Sequence, residues 1–117
     1  MLDEVRGRLQ EGRHLSRLEE NGVLHALQIL IENAIGKAKQ LLKAAGETVP
    51  ISAYDSFAAL ANRTSKVQSH LESWNAVIGI RNRIVHAYMN IDLRKIHDIV
   101  REGRYRFVVE FLLDESP

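Results

Sequence analysis

The sequence predicts an all-helical single domain, an up-down antiparallel bundle, and three observations carry that expectation. Apolar residues recur at three- and four-residue spacing along most of the chain. Helix-capping patterns punctuate it, and no stretch alternates apolar and polar residues as a half-buried strand would. Length and composition agree: 117 residues, 45% hydrophobic and 26% charged with seven glycines and two prolines, suit one folded core. Residues 1–117 are therefore read as one domain.

The first helix is expected over Leu2 to Leu18, on a thin stripe of Leu2, Val5, Leu9, Leu15 and Leu18 weakened by Gly7 and Gly12. Asn21 and Gly22 are expected to separate it from a second helix, Val23 to Ala45. There Leu27, Ile31, Ala34, Ala38, Leu41 and Ala45 share a face, and Gly46 ends it. After Pro50, SAYD (Ser52 to Asp55) has capping-box form and opens a short helix to about Asn62. SKVQ (Ser65 to Gln68) has the same form and is expected to open a long third major helix. Asp92 caps a helix over Leu93 to Glu102, and Gly103 separates it from a last piece, Tyr105 to Leu113.

Charge narrows the function classes. The net charge of +1 excludes a protein that coats nucleic acid by bulk charge, but the distribution is uneven. Residues 1–62 carry seven basic and eight acidic side chains, residues 63–106 nine and four, and the tail from Phe107 three acids only. A local phosphate-binding surface in the middle segment is thus open, beside the plainer reading of a solvated helix face. The chain has no cysteine, so disulfides and thiolate metal sites are out, and a reducing cytoplasm is the expected home. The N-terminal MLDEVRGRLQEGR is charged throughout, and no apolar run approaches membrane-spanning length.

The third major helix carries a puzzle. At about 100° per residue, Val67, Leu71, Trp74, Ile78, Val85 and Tyr88 fall within about 60° of one line, and so does Arg81. A guanidinium on a buried stripe must be paired or must face something other than core. Asn82 lies at the edge of the same stripe, while His86 points about 140° from Arg81 in a regular helix. Either the helix deforms or ends near Val85, or two chains bring their motifs together in a symmetric cleft. Arginine and histidine without a metal-ligand set suit scission of RNA by its own 2′-hydroxyl, with imidazole moving protons and guanidinium holding phosphate oxygens.

The pattern Arg81, four residues, His86, Ala87, Tyr88 resembles the R-x4-H-x-Y signature of the HepT toxins in the HEPN superfamily, and Asn82 fits the polar residue usual after the arginine. VLHALQILIENAIGKAKQLL, YDSFAALA and RNRIVHAYMNID are similar to further family segments, covering about Gly22 to Leu113. The resemblance implies an all-helical bundle that dimerises with the motif at the dimer cleft. It implies a metal-independent endoribonuclease without cofactor that leaves cyclic phosphate ends, and a toxin paired with an MntA-type nucleotidyltransferase antitoxin. On it, Arg81 stabilises the scissile phosphate, His86 transfers protons, Asn82 supports the cleft, and Tyr88 accepts AMP from the antitoxin. The short, glycine-containing first helix departs from the family pattern, as do Arg83 and Met89 at positions often apolar or bulky there.

Plainer readings stand beside these. Arg81 pairs with Glu32 or Asp92 across the bundle, His86 answers the carbonyls of a helix end, and Tyr88 is core with its hydroxyl at the rim. His14, His25, His70 and His97 lack metal-ligand spacing and read as surface or packing residues. Trp74 and Phe111 read as core, and Tyr105 is the one candidate platform for stacking a base. Two other functions compete with the ribonuclease: a non-catalytic helical module presenting substrate or nucleotide to a partner nucleotidyltransferase, and a dimer with an assembly role only.

Overall fold

The computed structural model describes residues 1–86 and 91–114, and every described element is helical. The helices are α1 (Leu2–Gln10), α2 (Arg17–Ala44), α3 (Ala53–Ala61), α4 (Ser65–Ser69), α5 (Leu71–His86), α6 (Leu93–Arg101) and α7 (Arg106–Leu113). Helix α2 is the spine: α3, α5 and α7 pack along it, α4 rests on α3, and α1 lies mainly on α6. No described helix is long and apolar enough to cross a membrane.

Two boundaries differ from expectation. Helix α1 stops at Gln10, because Gly12 adopts φ +75 and turns the chain, with Gly12 and Arg13 donating back to the Leu9 and Arg8 carbonyls. Helix α2 then starts six residues earlier than predicted, at Arg17. Ser16 accepts from the Glu19 amide while the Glu19 carboxylate accepts from the Ser16 amide, a complete capping box. Asn21 and Gly22 consequently lie inside the helix. A Cβ on Gly22 would stand 2.7 Å from Met1 Cε, the end of a flexible, exposed side chain that can move aside.

The predicted long third helix is two helices. Thr64, not Ser65, is the N-cap residue of α4, and the chain leaves helical geometry at His70 (φ −115, ψ 14). The His70 ring lies on Phe107 at 5.8 Å between centroids, and its carbonyl accepts from the Trp74 amide to start α5. The remaining caps follow the sequence, except that at SAYD only the serine half of the expected capping box forms. Ser52 accepts from the Asp55 amide at 3.0 Å, Asp92 from the Arg94 amide at 3.0 Å, and Gly103 turns α6 into α7 at φ +66.

Buried residues form two clusters. One joins the C-terminal half of α2 with α3, α4, the first half of α5 and α7, around Leu42, Phe57, Trp74, Ile78 and Val108. Its centre is aromatic: Phe57 and Trp74 stack at 4.2 Å, and Phe107 and Phe111 meet the indole edge-on at 4.9 and 5.0 Å. The second is almost wholly aliphatic and joins α1, the first half of α2, the end of α5 and α6 through Val5, Leu9, Val23, Leu27, Ile84, Ile96 and Val100.

The molecule is flat, 47 × 27 × 19 Å, with a radius of gyration of 14.9 Å. A compact chain of this length would have about 13 Å. It exposes 7456 Å², about 1,000 Å² more than expected for a compact monomer of its mass.

Candidate functional site

Helix α5 runs from one cluster to the other, and the line predicted to be its core stripe changes character on the way. Along that line Trp74 and Ile78 are 2% and 0% exposed, Arg81 is half-buried, and Val85 is 40% exposed. Burial at this end passes instead to Ile84, at 7%, which faces Val23 and Leu27. Val85 is therefore not the core residue the stripe predicted. The aromatic cluster ends at Ile78, and beyond it the line emerges between α2 and open space. Arg81 stands where core gives way to surface.

Its surroundings do not satisfy it. Arg81 Nε is enclosed and has no hydrogen-bond partner, and Arg81 forms no ion pair among the described residues. Both carboxylates considered as partners are otherwise engaged. Glu32 accepts from Gln28 Nε2 at 3.2 Å, and Asp92 caps α6. A buried unsatisfied donor costs about 1–3 kcal/mol, so the fold holds this arginine against its own stability.

His86 is exposed on the last described turn of α5, which stays α-helical through it. Asn82, half-buried, lies one turn before His86 on the same face, whereas Arg81 points about 140° away from His86. One chain thus brings Asn82 and His86 together and keeps Arg81 and His86 apart. Tyr88 lies outside the described residues.

The ion pairs show what reading the motif alone missed. Nine basic residues occur between 63 and 106. Arg63, Lys66, Arg101, Arg104 and Arg106 each sit against a carboxylate, of Glu47, Asp114, Asp98, Glu102 and Asp3 respectively. Arg81, Arg83, Arg94 and Lys95 do not, among the described residues; the first two lie within the motif on α5 and the other two at the start of α6. The uneven charge along the sequence was the signal for them. Helices α5 and α6 leave a groove of about 900 Å³ that runs along α5 from Arg83 back to Glu72, with Arg83 on one wall and Lys95 on the other.

Other candidates resolve as structure. Tyr105 is 4% exposed, so it is no stacking platform. Its hydroxyl donates to Asp3, and that bond, helped by Arg106 at 3.6 Å, holds the Asp3 carboxyl below the usual carboxylate range. Burial, then the same carboxylate, pushes the Tyr105 phenol up. His14, His25 and His70 are exposed, and His97 Nε2 lies 3.5 Å from Glu20 without a hydrogen bond. Among the described residues no group of three or more His, Cys, Asp or Glu could hold a metal ion.

The described residues are all helical, and Arg81, Arg83, Arg94 and Lys95, without a carboxylate partner among them, gather at the end of α5 and the start of α6. The family model "Ribonuclease HepT-like" matches residues 2–113, and the chain belongs to that family. No curated protein and no solved structure matches it.

Proposed function

We propose that the chain is the toxin of a toxin-antitoxin pair, a metal-independent endoribonuclease that works as a homodimer with Arg81 and His86 as catalytic residues. The observation that carries this reading is the half-buried, unpartnered Arg81 guanidinium at the end of the core. A cation maintained at the expense of stability calls for an anion that the folded chain does not itself supply, and a phosphodiester fits its fork.

The geometry of α5 supports the dimer. A regular α5 points Arg81 and His86 of one chain about 140° apart, and a second copy placed on this face would bring the two residue types into one cleft. The exposed Val85 beside Arg81 and the roughly 1,000 Å² of surplus surface give that copy something to cover. In the cleft, His86 takes the proton of the 2′-hydroxyl, whose oxygen attacks the adjacent phosphorus. The bond to the 5′-oxygen breaks, that oxygen leaves with a proton, and a 2′,3′-cyclic phosphate remains. Arg81 holds the non-bridging oxygens as charge builds on them, and Asn82 orients the phosphate from the His86 face.

Purified Arg81→Ala and His86→Ala chains are expected to stay folded and to lose RNA cleavage by at least about a hundredfold, along with growth inhibition. Chelator leaves wild-type cleavage intact, and the products carry cyclic phosphate. Undiminished cleavage by either variant contradicts the assignment. The antitoxin is a nucleotidyltransferase that adds AMP to Tyr88. Coexpression should therefore raise the intact mass of the wild type by AMP units and leave Tyr88→Phe unchanged.

A further inference from the structure

We propose that the groove between α5 and α6 is a second RNA-contact site, which grips the backbone of the strand beyond the scissile phosphate through Arg83 and Lys95. The proposal rests on the ribonuclease reading and extends it to a surface beyond Arg81 and His86.

The groove exists because α5 packs on α2 and α3 while α6 packs on α1, so the two helices separate. Its floor is apolar, built from Ile80, Ile96, Ile99 and Phe107. Arg83 lines it from α5 and Lys95 from α6, both exposed and both without a carboxylate partner among the described residues. Most other bases of the segment have one, so these two cations are not part of the network that ties the surface together. A groove with a cation on each wall, neither paired with a carboxylate among the described residues, and an apolar floor suits a single strand, with phosphates at the rims and bases over the floor. The place fits as well. Arg83 is one turn before His86 on α5, and the groove continues from there back to Glu72, about 16 Å along the helix. A strand held at His86 would lead directly into it. Three acidic side chains line the groove: Glu72 at the far end, Asp98, tied to Arg101 at 2.7 Å, and Asp92 near Lys95, which accepts from the Arg94 amide at 3.0 Å as the cap of α6.

The test uses the full chain carrying His86→Ala, so that RNA is bound without being cut. Binding of a fluorescein-labelled single-stranded RNA of mixed sequence is followed by anisotropy across a series of salt concentrations. Adding Arg83→Ala and Lys95→Ala should weaken binding about tenfold per residue at low salt. The slope of log affinity against log salt should fall by about 0.7 for each lost contact. Lys43→Ala, exposed on α2 in the aromatic half, should leave the slope alone. RNA binding with an unaltered slope in the double variant overturns the groove and leaves the nuclease reading standing. A fall in binding accompanied by a shift from dimer to monomer assigns the two residues to chain-chain contact and also overturns it. No RNA binding by the His86→Ala chain, with no cleavage by the wild type, overturns both readings.

Discussion

The two halves of this bundle are built to different ends. The half around Trp74 is closed: four aromatic rings interlock, and helices α2, α3, α5 and α7 all contribute to one cluster. The half around Leu27 and Ile96 is aliphatic, is held at its edge by polar pins such as Asp3 with Tyr105 and Arg6 with the Arg101 carbonyl, and opens between α5 and α6. The motif helix spans both. Its first half is anchored in the closed end, and its last two turns carry, at the open one, cations without a carboxylate partner among the described residues. Stability and the candidate chemistry are thus separated along a single helix.

Substitutions that strike one half should spare the property of the other. The largest expected effect on folding is Trp74→Ala, which removes the ring at the centre of the aromatic cluster and should cost about 3–5 kcal/mol in denaturant unfolding. A loss below about 1 kcal/mol would mean that the closed half is not the stabilising one. Ser16→Ala, at the start of α2 in the open half, should cost about 1 kcal/mol through the lost cap and leave RNA cleavage unchanged. The smallest effect is on pH dependence. Asp3 has its folded pKa lowered, so its contribution is present above the ordinary carboxylate range and is lost as pH falls through the folded value. Tyr105 has its phenol raised, so its contribution is present below pH 10.0 and is lost as pH rises beyond it. Asp3→Asn should flatten the acid limb of the stability profile, and an unchanged acid limb would show that the pin is idle.

Much of the fold was legible because caps and periodicity are local. Ser52, Asp92, Gly46 and Gly103 all do what their neighbourhoods predict. The errors arose where a local signal was overruled or overlooked. Gly22 reads as a breaker, but a capping box six residues earlier commits the chain to helix. His70 reads as mid-helix and is a break, because its ring is held on Phe107, distant in sequence. Arg81 was legible as an anomaly of the stripe, and its burial without a partner sharpens that anomaly. Arg83 and Lys95 were not legible as a pair, since their lining one groove depends on how α5 and α6 are placed, which no spacing encodes.

The central claim is that Arg81 is kept for its substrate and not for the fold, and Arg81→Met tests it most directly. Methionine matches the length of the arginine stem and removes the unsatisfied donor. Chemical denaturation should therefore show stability equal to wild type or higher, by up to about 1–3 kcal/mol. Cleavage of RNA by the same preparation should fall by at least about a hundredfold. A destabilised variant that still cleaves RNA at the wild-type rate would contradict the account and make Arg81 a structural residue.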